Sequence, residues 1–487
     1  VGGVGLPAWV RGADVLAAWL LILAIGLTIG GPVRLFLGPV RISLGSIGRL
    51  LAAAGLVLIV RHWRHRRPSS VERWGRALIA PWSEPAFRSI AASFWTIRLT
   101  VLLTGYVAVA AFGFPGAGQP PFRLSENELL NLPARWDAGW YLNIATDGYR
   151  YRQAEPAIQQ NIAFLPAFPA AMRLAGAFLG VEHERMRRRV DGPDRARLLW
   201  AGTLVSLLSA WAASWYLYRL GRTWLNHDRA ASAVLLLQAY PFALFYGAAY
   251  TEGLFLLGCA AALLRYREGR YASAALWGLV AGLSRPNGFV VSVPLGLWLL
   301  GDLARGWRPR GASRRAPWAA AERAAQVVAA AAPAAGTALY SVLVYGMTGD
   351  PWRWASLHAA WGREYRSLAS LFTGYYERLT AEGIYGYTAS APVDALNLAA
   401  AIFALAALFS VWRRFGPALA LFVAATVLPP LTMGGVLSMG RITSVLFPAF
   451  YWLAGATPGT VHPRLVVAFA IVQGLAAALF FTWRPLF

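Results

Sequence analysis

Long apolar runs, parted by short polar breaks, recur along the whole chain. Set against the ~20 residues that cross a hydrocarbon core, they predict about thirteen spanning helices. These fall at roughly 13–30, 43–60, 92–112, 162–180, 198–218, 230–247, 250–265, 272–300, 323–345, 396–411, 416–436, 441–456 and 464–482. The runs are continuous, and longer than the alternating ~10-residue segments of a membrane β-barrel. The expected fold is therefore an all-α polytopic membrane protein. Two stretches escape the pattern, residues 114–161 and 349–395, and read as long loops carrying short interfacial helices. In the first, Trp136, Trp140 and Ile144 share one helical stripe, with Pro133 before it and Gly148 after it.

The pattern is interrupted at two places, YPFALFYGAAYTEG within 230–265 and SRPNG within 272–300. Strict alternation of spans puts Glu252 at the cytoplasmic end. A re-entrant piece at either break carries Glu252 or Arg285 to the opposite end instead, and broken helices are tolerated where they line a cavity. Residues 1–90 read as an additional helix pair closed by a basic linker, and 91–487 as the main transmembrane domain. No internal repeat is evident.

Composition agrees with a membrane chain: 57% of residues are apolar or aromatic and 14% charged. The net charge of +23 raises the question of nucleic acid, but every basic residue is Arg and the arginines gather in particular loops. Residues 61–76 hold six Arg against one Glu; 301–323 hold six against Asp302 and Glu322; 181–197 hold six against four acids. Loops 114–161 and 349–395 each hold four Arg and five acids. The positive-inside rule then puts the basic loops in the cytoplasm and both long loops outside, on the surface of what the Arg-for-Lys usage suggests is a bacterial plasma membrane. A single cysteine, Cys259, leaves no pairing within the chain, and the six histidines show no metal-ligand spacing.

Asp137, in RWDAGWYLNIATDGY, is the first candidate for chemistry. A carboxylate between Trp136 and Trp140 at the edge of an apolar slab suits a general base, although Asp also caps helices. Arg135 beside it can meet a phosphate or Asp137 itself. Arg285 lies within an apolar run and Arg441 opens another. Charge is expensive there, so each calls for an anionic partner, either Glu252 or a lipid phosphate gripped by the guanidinium fork. Asn161, Asn287 and Asp350 stand at run edges, Asp350 in aromatic company that equally fits an interfacial belt.

These residues fall in motifs that resemble the PIG-V-like mannosyltransferases. RWDAGWYLNIATDGY is followed by NIAFLPAFP, then P-x-x-x-F-Y-x-A-x-Y-T-E at 241–252, SRPNG at 284–288, GDP at 349–351 and SMGR at 438–441. The resemblance covers roughly residues 92–450. It implies a GT-C glycosyltransferase that takes a sugar from a polyprenyl-phosphate carrier, by inversion, at the non-cytoplasmic face. Mannose is implied by the resemblance alone. Asp137 matches the family's acid in the first external loop, and Arg285 and Arg441 are placed to neutralise the departing phosphate. Neither a metal nor another cofactor is expected, and the acceptor is a glycolipid, glycan or protein. The competing reading is a transporter or lipid flippase with Arg285 and Glu252 in its path.

Overall fold

The computed structural model describes residues 7–30, 33–37, 40–44, 47–72, 75, 80–117, 120, 122–155, 157–181, 192–305 and 317–486. Arg185, Arg187, Arg188 and Arg189 of one basic stretch, and Arg308, Arg310, Arg314 and Arg315 of another, lie outside the described residues.

The described chain is helical, with one short addition. Helices α1 (Ala8–Gly30) and α2 (Ile47–Arg64) flank an antiparallel hairpin, β1 (Val33–Leu37) and β2 (Val40–Leu44). The apolar run 43–60 is therefore shared between β2 and α2. Then follow α3 (Pro85–Phe112), α4 (Ala138–Asp147), α5 (Ala167–Phe178), α6 (Gly192–Gly221) and α7 (His227–Ala239). Next come α8 (Glu252–Arg267), α9 (Tyr271–Ser284), α10 (Ser292–Ala304), α11 (Pro317–Thr348) and α12 (Leu368–Ser390). The chain closes with α13 (Pro392–Phe415), α14 (Pro417–Thr432), α15 (Met439–Thr443), α16 (Phe447–Ala456) and α17 (His462–Phe481).

About thirteen spans are not found. Among the described residues five helices, α3, α6, α11, α13 and α17, are long and apolar enough to cross a membrane, and a sixth span arises if a bent pair counts as one. The other apolar runs are cut into helices of 10–17 residues, such as α9 and α14. The breaks have local causes. Arg285 leaves α9 in an extended conformation directly before Pro286, as a residue preceding proline must. The same effect at Tyr240, before Pro241, separates α7 from a 3₁₀ turn at Pro241–Gly247 and bends the pair by 78°.

That bend frees carbonyl groups inside an apolar bundle, where each needs a donor. Arg98, fully buried in α3, supplies them: it donates to the carbonyls of Ala243 and Gln238, and to Gln473 Oε1 at 2.9 Å. Gln473 in turn donates to the Tyr240 carbonyl at 2.5 Å. The broken segment is thereby fixed at its bend. Its far end is tied to the residues after Arg441, because Tyr246 Oη donates to the Ser444 carbonyl at 2.5 Å.

The two long loops meet on α11. Ile162, Ala163 and Leu165 from the first pack with Trp354 and Leu357 from the second around Tyr340 and Val344. Tyr340 Oη donates to the Ile162 carbonyl at 2.7 Å. Both loops therefore lie at one end of the bundle.

Candidate active site

Four charged side chains from distant parts of the chain converge beneath those loops. Arg441 Nη1 lies 2.6 Å from Asp137 Oδ2, and Arg441 Nε donates to Glu252 Oε1. Arg285 Nη1 reaches the same Glu252 oxygen at 2.6 Å. Two carboxylates and two guanidinium groups thus form one chain of contacts. Strict alternation of spans fails here. The bent α7 segment returns the backbone towards the Asp137 end, so Glu252 shares a site with Asp137.

The backbone explains how each group is presented. Asp137 precedes α4 but its side chain makes no capping bond, so the carboxylate is available to Arg441. Its own amide donates to Tyr250 Oη at 3.0 Å. Trp136 just before it has φ +49°, a left-handed conformation unfavourable for a bulky residue and found where surrounding contacts impose it. Those contacts are the Trp483 ring, 4.9 Å between centroids, and the Phe480 carbonyl, 3.4 Å from the indole nitrogen. Glu252 is the first residue of α8, where the helix dipole favours a carboxylate. Gly253 lets that end press onto α6: a Cβ there would stand 2.3 Å from the Ser206 carbonyl oxygen. Gly440 does the same for Arg441, since a Cβ would fall 2.0 Å from the Phe242 ring.

Aromatic faces complete the lining. The Arg441 guanidinium lies 4.5 Å from the Tyr250 ring centroid and 5.5 Å from that of Phe245, attractive contacts for a desolvated cation. Trp140, one turn after Asp137, meets Trp361 of the second loop at 5.8 Å.

The two carboxylates differ in access. The side chain of Glu252 is 0% exposed, that of Asp137 19%. Glu252 Oε2 is buried without a hydrogen-bond partner among the described residues. Glu252 is consequently an internal anchor for two arginines, while Asp137 faces outward.

The second loop adds two groups that sequence reasoning did not single out. Burial, with Arg441 and Arg285 repelling it, lowers the Arg363 guanidinium to about 10, while Asp137 pulls the other way. It stays cationic at neutral pH. Burial, then Arg363 and Arg441, push the His358 imidazole down to about 4, and His358 Nε2 is buried without a partner among the described residues. Counting Arg363, three cations face two carboxylates, a balance that favours an anion. GREY at 362–365 gave little sign of this, because an arginine in a polar loop resembles any solvated charge.

Other expected site residues are placed elsewhere. Arg135 is buried and turned away from Asp137, donating to the carbonyls of Phe481 at 2.6 Å, Asn131 at 2.6 Å and Ala134 at 2.8 Å. It pins the loop to the end of α17. Asn161 ties the loop to itself, donating to Asn143 Oδ1 at 2.7 Å and the Gly148 carbonyl at 3.0 Å, and accepting the Arg150 amide at 3.0 Å. Asp350 caps its own turn by accepting the Trp352 amide at 2.9 Å. Asn287 begins the 3₁₀ turn at Gly288–Val291, two residues after Arg285. The expectation that Arg285 and Arg441 have few acids to pair them is also corrected, since both bind Glu252.

With this geometry in hand, comparison with known proteins is informative. Residues 88–298 match the family Mannosyltransferase (PIG-V); that segment includes Asp137, Glu252 and Arg285. GPI alpha-1,6-mannosyltransferase 2 of Mus musculus is 36% identical over 166 residues, 33% of this chain and 30% of that protein. GPI mannosyltransferase 2 of Cryptococcus neoformans is 34% identical over 141 residues, 28% of this chain and 30% of that protein. The match spans about 30% of the length of these relatives. They are eukaryotic and lend no support to a bacterial plasma membrane. An oligosaccharyltransferase of Archaeoglobus fulgidus, solved with Zn and sulfate, aligns over 79% of this chain and 53% of its own, with a TM-score of 0.38 and 14% identity. In complex with an inhibitory peptide and a dolichol-phosphate, its TM-score is 0.39 at 13% identity, over 79% and 56% of the two chains. Through the match of residues 88–298 and these mannosyltransferase relatives, the chain belongs to the PIG-V mannosyltransferase family.

Proposed function

We propose that the protein is a membrane mannosyltransferase of the GT-C type that moves mannose from a polyprenyl-phosphate carrier to an acceptor hydroxyl at the non-cytoplasmic face. The observation that carries this reading is the unequal access of the two carboxylates: Asp137 is partly exposed and Glu252 is sealed, and Arg441 contacts both. A base must reach the acceptor, and only Asp137 can.

In this reading the acceptor O–H gives its proton to the Asp137 carboxylate as its oxygen bonds to the anomeric carbon. The bond from that carbon to the phosphate oxygen breaks on the opposite side, and the carrier leaves as a phosphate monoester. One inverting displacement needs one base and no covalent enzyme intermediate. The leaving phosphate gains negative charge, and cations placed where charge develops lower the barrier most. Arg441, Arg285 and Arg363 supply them. Phosphate bound to Arg441 competes with Asp137 for its Nη1, freeing the carboxylate as donor binds. The guanidinium groups carry the charge, and neither a metal nor another cofactor takes part.

Purified protein incubated with polyprenyl-phosphate [³H]mannose and a membrane lipid extract tests the assignment. Labelled product that forms undiminished in EDTA is expected. Absence of both transfer and donor breakdown contradicts it, as does movement of intact donor across a bilayer without cleavage.

A further inference from the structure

A cavity of about 750 Å³ opens between α12, the start of α13 and the turn at 434–437. Trp361 and Tyr375 give it aromatic walls, and Arg378 and Asp394 a polar one. Asp394 is held by Tyr387 Oη at 2.7 Å and Tyr375 Oη at 3.2 Å, with Arg378 at 3.9 Å. Arg378 is drawn equally to Glu382, at 3.0 Å, which leaves this wall close to neutral. Two contacts join the cavity to the charged cluster. Trp361 meets Trp140, one turn from Asp137. Asn397, also in the wall, accepts the Gly440 amide at 2.8 Å, directly beside Arg441.

We infer that this cavity is the acceptor site of the transferase proposed above, and that it takes a neutral, hydroxyl-rich glycan. The inference rests on that proposal. The volume lies within the ~300–1,000 Å³ of small-ligand pockets. Aromatic rings cover the apolar face of a sugar, while a fixed carboxylate and tyrosine hydroxyls pair with its hydroxyl groups. The carrier's phosphate fits less well, because Asp394 would meet it with like charge. The opposite face of α12 exposes Leu368, Phe372 and Tyr376 at four-residue spacing, the pattern of a helix lying in a membrane interface. The cavity then lies between a lipid surface and Asp137, a position suited to the glycan of a lipid-anchored acceptor.

Gly374 lines the cavity, and a Cβ there meets nothing within 4 Å. Gly374→Trp therefore fills the space without deleting a contact, and Asp394→Asn removes the charge but keeps the shape. Saturation-transfer NMR on the full chain in nanodiscs, with the methyl α-glycosides of mannose, glucose and N-acetylglucosamine and with methyl phosphate as probes, reads binding without turnover. The expected result is ring-proton saturation for at least one glycoside on the unmodified protein. Its affinity should fall by roughly tenfold in Asp394→Asn, the loss typical of hydrogen bonds to a charged group, and saturation should vanish in Gly374→Trp. Methyl phosphate binding should be the same in all three proteins. Thermal midpoints establish folding, and if one variant fails to fold the other decides. The inference is overturned if no glycoside binds the unmodified protein, if both variants bind glycosides normally, or if methyl phosphate binding is lost with them. Donor turnover is measured separately, so failure here is distinguishable from failure of the transferase assignment.

Discussion

Arg441 and Asp137 are separated by 304 residues in the chain and by 2.6 Å in space. Because Arg441 also donates to Glu252, one guanidinium connects the outward carboxylate to the buried one. Arg441→Ala strips a partner from both. A loss of ~3–5 kcal/mol in stability is expected, as for a broken buried pair, together with weaker donor binding and slower transfer. Arg441→Lys keeps the charge but lacks the planar fork that serves both carboxylates, so it should recover part of either quantity. Normal donor affinity in a stable Arg441→Ala protein contradicts the phosphate role.

Glu252 receives Arg285 as well, which makes the pair testable by a double-mutant cycle. Glu252→Ala and Arg285→Ala should each destabilise, and the double variant should fall short of their sum by at least ~1 kcal/mol. Strict additivity in thermal or denaturant unfolding sets the contact aside as energetically idle.

Gly440 admits no side chain against Phe242. Gly440→Ala should lower stability by ~1–3 kcal/mol, as overpacking does, and displace Arg441 enough to reduce transfer. Adding Phe242→Leu should return part of both. A Gly440→Ala protein with unchanged midpoint and rate shows that this approach is not needed.

His358 makes stability depend on pH with a definite sign. Its folded value is about 4, below the ~6.5 of an unfolded histidine. Between those values the unfolded chain binds the extra proton, so stability falls as pH drops through that window. From pH 7 to pH 5 the contribution is roughly 1 kcal/mol, and His358→Gln should remove it. Identical pH dependence of the unfolding midpoint in both proteins rejects this account of the imidazole.

Asp137, Glu252, Arg285 and Arg441 stood out in the sequence because charge within apolar runs needs a reason. That logic names the residues but not their partners: nothing in the linear pattern shows that Glu252 takes both arginines, since this follows from the 78° bend after Tyr240. Arg135, Asn161 and Asp350 misled because a polar side chain bound to its own backbone reads the same as one reserved for a ligand. The span count was overestimated where proline divides apolar runs into short helices. Arg98 was passed over inside its span. Its partners are main-chain carbonyls at a break elsewhere in the chain, and composition carries no trace of them.

The assignment of Asp137 as base is tested most directly by Asp137→Asn, which keeps the shape of the side chain and removes its basicity. Transfer of [³H]mannose from polyprenyl-phosphate mannose, measured with donor binding and thermal midpoint on the same purified preparation, gives the three quantities needed. The expected result is a rate lower by ~10²–10⁴, the usual contribution of a general base, in a folded protein that still binds donor. Near-normal transfer by Asp137→Asn contradicts it.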